Sequence, residues 1–389
     1  MRFQVERDVF SEAVAWTARS LPGRPAAPVL AGLLLEAVDG AVTISGFDYE
    51  VSSRAEIAAD VTEPGRGLVH GKLLADIAKS LPNRTVELST EGSKLMLVCG
   101  SSRFNLQTLP VQDYPALPDL PAATGEIAAA GLATAVAQVA TAAGRDDTIP
   151  MLTGMRVEIE GGTLTLVATD RFRLSYRELP WKPEHPDMSA TALIPAKVFA
   201  DTARALTGRD QVTVALSTLT DGEGLVGFES GESVAAGGKG TRRMTSRLLS
   251  GEFVKYRALF PDEYTIAATV ETAPFLEAAK RVSLVAERTS PIKLAFTQGE
   301  VVLEAGAGDE ANSSESLEAV LEGDDITVSF NPTYLLDGLR AIDTRYAQLS
   351  FTVPGKPAVL MARESLEEPA QDDFRYLMLP LKGQGQTPG

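Results

Sequence analysis

"PVLAGLLLEAVDGAVTISGFD" (residues 28–48) and "PMLTGMRVEIEGGTLTLVATD" (150–170) align without a gap. At an offset of about 122, Pro28, Leu30, Gly32, Gly40, Thr43 and Asp48 fall on Pro150, Leu152, Gly154, Gly162, Thr165 and Asp170. Each copy reads as two strands joined at a glycine turn. At the same offset "AVA" (13–15) meets "AVA" (135–137), each inside an Ala-rich helical pattern. A looser third copy, "SPIKLAFTQGEVVLEAGAGDE" (290–310), puts Gly299 in the turn, with "PFLEAAKRVSLVAER" (274–288) as the preceding helix.

A second helix recurs as "GKLLADIAKSL" (71–81), "AKVFADTARAL" (196–206) and "PTYLLDGLRAI" (332–342). Each keeps an Asp (Asp76, Asp201, Asp337), a cation three residues on (Lys79, Arg204, Arg340) and Leu or Ile two further. The Pro-rich joint "LPVQDYPALPDLPAATG" (109–125) ends the first unit and "YRALFPDEY" (256–264) ends the second. The expected fold is α+β: three similar domains with antiparallel sheets, over residues 1–122, 123–262 and 263–389.

A chain of 389 residues suits two or three cores. No apolar run reaches the eighteen or so residues of a membrane helix, and Met1 to Phe10 is charged, unlike a secretion signal. The expected location is the cytoplasm, with no membrane partner. The single cysteine, Cys99 in "KLMLVCG", excludes a disulfide framework and reads as a buried inert thiol. His70 and His185 lie far apart in sequence, so no metal site and no cofactor is expected.

A net charge of −16 argues against nucleic acid when summed, because that affinity rests on cations neutralising phosphates. The sum does not describe one face. Lys72 and Lys79 stand seven residues apart, nearly two helical turns, and so share a face; Lys197 and Arg204 repeat the spacing and Arg340 keeps its second member. Arg19, Arg24, Arg145, Lys280 and Arg281 add charge near the first helices. The plain alternative is a solvated face neutralised by Asp76, Asp201 and Asp337. A recurrent array would touch phosphates without reading bases.

"VATDRFRLSY" (167–176) sets Arg171 and Arg173 around Phe172 after a Thr-Asp pair. Asp170 is an acid or base in principle. Its counterpart Asp48 has no neighbouring arginines, which favours a strand-capping role. "AAGGKGT" (235–241) has the wrong spacing for a phosphate loop and reads as a hairpin turn. "GDEANSSESLE" (308–318) lacks the alternating ligands of a calcium loop.

The three-unit plan, "LPGRPAAPVL" (21–30), "MLTGM" (151–155), "ATDRFRL" (168–174) and the C-terminal "YLMLPL" (376–381) together resemble the bacterial DNA polymerase III beta-subunit family, the sliding clamps, over almost the whole chain. The style of "FDYEVS" (47–52) and "AAGRDDTIPMLTG" (142–154) is similar to actinobacterial members. The resemblance implies a head-to-tail homodimeric ring, helices lining a hole and sheets outside, which encircles double-stranded DNA without catalysis and without sequence preference. It implies DNA-facing Arg24, Lys72, Lys79, Arg145, Lys197, Arg204 and Arg340. It implies a dimer contact of Phe104 and Leu106 with Leu284 of a second copy.

The resemblance further implies a groove for linear peptides of the DNA polymerase catalytic subunit, clamp loader and repair proteins. Its walls would be Leu152, Thr169, Arg171, Phe172, Arg173, Leu174, Leu259, Asn331, Tyr334, Leu377, Met378, Leu379, Pro380 and Leu381, with Val254 at the edge. Leu152, Leu174 and Leu379 could instead be core. Val254 stands where the family usually has proline, and Pro291 in "ERTSPIKL" (287–294) is a further departure. These two residues motivate a second, inhibitor-resistant copy as an expectation. The rival readings are a protein-only repeat scaffold and, with no constellation to support it, a hydrolase or transferase.

Overall fold

A computed structural model describes residues 1–208, 210–217, 224–286, 290–306 and 311–381. Asp39 and Gly40 both adopt left-handed backbone, φ 44° and 81°, as a two-residue type I′ hairpin requires, and they join strands Gly32–Val38 and Ala41–Phe47. The middle hairpin, Gly154–Glu160 with Thr163–Thr169, turns with Gly161 at φ 55°; the third, Ile292–Thr297 with Gly299–Ala305, turns with Gly299 at φ 88°. The repeat extends to side chains. A Cβ on Gly32 would lie 2.6 Å from the Leu68 side chain, and one on Gly154 would lie 2.7 Å from that of Leu193.

The chain forms two compact units. The first comprises Met1–Ala133, Trp181–Met188 and Asp201–Leu248, and the second Thr134–Pro180, Ser189–Ala200 and the chain from Leu249. Among the described residues each is built on one antiparallel sheet, of fourteen strands in the first unit and twelve in the second. The middle repeat supplies strands to both. In the first unit its strand Gly240–Arg247 pairs with Val51–Ala58 of the first repeat, from Ser246 opposite Val51 to Arg242 opposite Ala55. In the second unit its strand Arg173–Pro180 pairs with Phe374–Met378 of the third repeat, from Arg173 opposite Met378 to Arg177 opposite Phe374.

Besides the outer strands that end each sheet, two strands keep an open edge inside the strand order among the described residues. Strand Ser102–Leu109 pairs through residues 102–107 with Lys94–Cys99, and only Thr108 and Leu109 reach the strand Gly65–His70. Strand Ser313–Glu322 pairs through residues 313–319 with Gly299–Ala305, and its last three residues pair with Ile266–Glu271.

Helices bury one stripe each. Arg7–Ala18 buries Phe10, Ala13, Val14 and Thr17, and Gly71–Ser80 buries Leu74, Ile77 and Ala78 while Lys72 and Lys79 stay exposed. Pro332–Arg340 starts on Pro332, is capped by the Asn331 side chain accepting from the Thr333 amide at 2.9 Å, and buries Leu335, Gly338 and Leu339. Core clusters form around Leu30, Phe47, Leu68 and Tyr114 in the first unit and around Leu174, Leu193, Phe253 and Leu377 in the second. Each such side chain contributes about 1.5–3 kcal/mol by leaving water. Cys99 is buried, its thiol donating toward the Pro82 carbonyl.

The seam in the first unit tolerates no side chain at Gly240, whose φ is 115° and whose added Cβ would fall 2.0 Å from the Glu56 carbonyl oxygen. Gly240→Ala is expected to lower stability by roughly 2–4 kcal/mol in urea unfolding. Gly23→Ala, with nothing within 4 Å of the new methyl, should change it by less than about 0.5 kcal/mol.

Candidate functional site

Asp170 makes the turn between strands Thr163–Thr169 and Arg173–Pro180. Its Oδ1 accepts from the amides of Phe172 and Arg173, each at 3.1 Å, and Arg171 sits at φ 81°. The Thr169 hydroxyl donates to the Arg173 carbonyl at 2.7 Å. The turn pushes Arg171 and Phe172 outward and Arg173 inward: Phe172 is 55% exposed and Arg173 only 5%.

Arg173 organises this part of the second unit. Its Nε donates to Asp170 at 2.9 Å; its Nη1 donates to Asp337 at 2.7 Å and to the Tyr376 hydroxyl at 3.0 Å. The guanidinium lies 4.4 Å over the Tyr334 ring. Burial works against this charge, but Tyr376, Asp337 and Asp170 outweigh it and hold Arg173 protonated well above the ordinary arginine range. Burial pushes the Tyr376 phenol up despite the adjacent guanidinium. That phenol donates onward to the Tyr334 carbonyl at 3.1 Å. Arg173 thus ties the turn, the helix Pro332–Arg340 and the last strand together, and it corrects the expectation of an arginine offered to a peptide.

Around this tie the structure gathers an apolar surface. Phe172 stacks on Tyr334 at 6.4 Å and 23°. The Leu379 amide donates to the Phe172 carbonyl at 2.9 Å, and that of Leu381 to Ser329 at 2.7 Å beside Asn331. Leu379 and Leu381 are 38% and 40% exposed, and Pro380 is half-buried. Leu259 is exposed at the end of the turn Tyr256–Leu259, and Val254 is half-buried against the cluster that holds Leu174 and Leu377.

Other expected wall residues face the core. Leu152, Thr169, Leu174, Leu377 and Met378 are buried, so they support the surface instead of presenting it. Leu152 lies on the short helix Pro150–Thr153. Pro291 is half-buried next to Ile292, which pairs with Phe330; Glu287, Arg288 and Thr289 lie outside the described residues. Sequence reasoning missed Val359, Met361 and Phe253, which complete the same cluster, and the tie from Asp337 to Arg173. The recurring Asp of the second helices was the available signal for Asp337.

Of the expected basic residues, Arg24, Lys72, Lys79, Arg145, Lys197, Arg204 and Arg340 are all exposed. Arg204 meets Asp201 at 3.5 Å, an exposed contact worth little, and Arg340 meets the mostly buried Asp337 at 3.3 Å. Lys280 and Arg281 are instead engaged by Glu277 and Glu315. Phe104 is half-buried on the open strand edge and Leu284 is 84% exposed. Leu106, 6% exposed, is a correction: the pleat turns its side chain into its own core.

Removing Arg173 leaves two carboxylates facing an apolar site. Arg173→Met is expected to cost about 3 kcal/mol in urea unfolding, whereas Arg171→Met, at an exposed position, should cost less than about 0.5 kcal/mol.

Comparison with known proteins gives matches along the chain. Family models described as the N-terminal, central and C-terminal domains of the DNA polymerase III beta subunit match residues 1–118, 126–255 and 257–382. The beta sliding clamp of Streptomyces coelicolor is 57% identical over 385 residues, 99% of this chain and 100% of that one. The beta sliding clamp homolog GriR of Streptomyces muensis is 44% identical over 382 residues, 98% of this chain and 99% of that one. A crystal structure of a Pseudomonas aeruginosa sliding clamp bound to griselimycin superposes with a TM-score of 0.87 at 26% identity, covering 98% of this chain and 99% of that chain. With three domain models matched in order and relatives aligned end to end, the chain belongs to the beta-subunit family of bacterial DNA polymerase III, the sliding clamps.

Proposed function

We propose that two copies of this chain close head to tail around double-stranded DNA and hold partner proteins through the surface built on Phe172, Tyr334, Leu379 and Leu381. As a member of its family the chain is an accessory subunit with no chemistry of its own. Its three domains are assigned to residues 1–122, 123–262 and 263–389.

Two of the open strand edges, at residues 102–107 and 313–319, carry the reading. The two seams inside the chain share one register: Ser53 faces Met244 in the first unit, and Ser175 faces Tyr376 in the second. Counted along the ladders, Ser313 occupies the place of Ser53 and Ser175, since Gly46, Ala168 and Ala305 stand opposite them. Phe104 occupies the place of Met244 and Tyr376, opposite Leu97 where these face Phe228 and Leu360. A third seam, Ser313 against Phe104, is therefore specified but has no partner within the chain, and a second copy supplies it twice. An open edge of this length otherwise invites aggregation. The exposed Leu284 adds an apolar contact for the same joint.

The exposed cations Arg24, Lys72, Lys79, Arg145, Lys197, Arg204 and Arg340 would meet phosphates, while the acidic remainder repels nonspecific nucleic acid. The groove would take linear peptides of the polymerase catalytic subunit, clamp loader and repair proteins, with aromatic and leucine anchors on the exposed apolar residues. The similarity to GriR supports a second-copy role in which Val254, lacking the fixed backbone of proline, alters inhibitor binding. Equal griselimycin affinity in this chain and its Val254→Pro variant would remove that residue from the account.

Loading onto nicked circular plasmid tests the clamp reading. The protein should stay on circles and leave after linearisation; equal retention on both would favour a protein-only scaffold. Replacing Lys72, Lys79, Lys197 and Arg204 by serine should shorten retention on circles and lower the salt slope by about 0.9 for each phosphate no longer neutralised. Phe172→Ala and Leu379→Ala should each weaken a polymerase-derived peptide by about tenfold or more in fluorescence anisotropy.

A further inference from the structure

The turn that builds the groove in the second unit has a twin in the first. Asp48 Oδ1 accepts from the amides of Glu50 at 3.0 Å and Val51 at 2.6 Å, as Asp170 does from Phe172 and Arg173. Tyr49 sits at φ 75° where Arg171 sits at 81°, a conformation that disfavours both side chains. The Arg247 amide donates to the Glu50 carbonyl at 2.9 Å, matching the bond from Leu379 to Phe172. The same strained turn, pinned by the corresponding strand of the next repeat, thus stands at both seams.

At the first seam this turn opens onto a pocket of about 280 Å³. Phe47 and Tyr49 meet edge to face at 5.5 Å and 63° on one side, Pro115, Pro118 and Leu225 form the others, and Glu50 adds one acidic residue to the lining. Tyr49 is 47% exposed although aromatic. Arg247 lines the mouth and is held by its Nε donating to the Tyr49 carbonyl at 3.0 Å. The two prolines present no backbone N–H, so the walls favour an apolar occupant. The volume stands at the lower end of the roughly 300–1,000 Å³ of small-molecule sites and accommodates one large side chain.

We propose that this pocket binds one aromatic side chain of a linear peptide carried by a partner protein, as a single-anchor counterpart of the groove at the second seam. An aromatic ring fits because Tyr49 and Phe47 offer it a face and an edge. The inference rests on the groove reading for the peptide nature of the occupant, and the pocket geometry carries the rest.

The test is a solution titration of the full-length protein with N-acetyl-4-fluoro-L-phenylalaninamide, followed by ¹⁹F NMR. Ala116 is exposed and lines the pocket, so Ala116→Trp fills it without entering the core. The expected result is two classes of site, one lost in Ala116→Trp and the other lost in the double variant Phe172→Ala, Leu379→Ala. Tyr49→Ala should weaken the first class about fivefold. Identical titrations of the parent and Ala116→Trp would overturn the inference. Binding confined to sites that the double variant abolishes would overturn it and leave the groove intact; binding lost only in Ala116→Trp would uphold the pocket and count against the groove.

Discussion

Unpaired backbone N–H and C=O groups along a strand edge must find partners, and this requirement organises the molecule. Within the chain it is met twice by the same device. A strand of the first repeat takes an edge strand of the second, and a strand of the second takes the last strand of the third. Because each seam continues the ladder, the sheets run through the joints instead of ending at them. The joint between repeats is therefore held by backbone hydrogen bonds, with side-chain burial on Leu174, Leu377 and Phe253 reinforcing it in the second unit. Among the described residues a three-repeat chain built this way leaves the two strand stretches that would form a further seam, residues 102–107 and 313–319, paired on one side only.

The candidate binding surface is a by-product of a seam. Where the last strand joins Arg173–Pro180, a buried arginine bridges Asp170, Asp337 and Tyr376, and the residues it cannot bury are turned outward. Phe172 and Leu379 are exposed because their neighbours Arg173 and Met378 are committed to the interior. Both exposed residues lie one residue outside the paired strands Arg173–Pro180 and Phe374–Met378. The first seam repeats the turn but places aromatic and proline residues around it, so similar backbone geometry yields a narrower pocket.

Much of this was legible in the sequence. The repeat aligned Gly32 with Gly154, and the structure supplies the reason, since a Cβ at either would meet the Leu68 or Leu193 side chain. The shared Asp48 and Asp170 announced a capped strand end, which the structure shows as a tight turn, and the second helices announced a basic face. The sequence did not show which wall residues would be exposed. Leu152, Leu174, Leu377 and Met378 carry the same apolar signature as Leu379 and Leu381, but they lie on a packed short helix or inside paired strands, whereas Leu379 and Leu381 follow the end of the last strand, Phe374–Met378. Leu106 departs from expectation because the pleat turns it inward. The pairing of Arg281 with Glu315 was equally hidden, because that glutamate comes from a strand thirty-four residues away. The Pro-rich joint marked a boundary but did not reveal that its prolines line a pocket.

The central claim is that the third seam repeats the register of the first two between copies. The direct measurement is disulfide trapping with Phe104→Cys and Ser313→Cys in the same chain, since directly opposite residues of an antiparallel pair fall within the roughly 4.4–6.8 Å Cα separation a disulfide needs. The account predicts quantitative oxidation to a covalently closed dimer that reducing agent reverses and that stays on circular DNA in high salt. A chain that remains monomeric after oxidation, or one that crosslinks equally well when Ser313→Cys is replaced by Ser316→Cys, would contradict it.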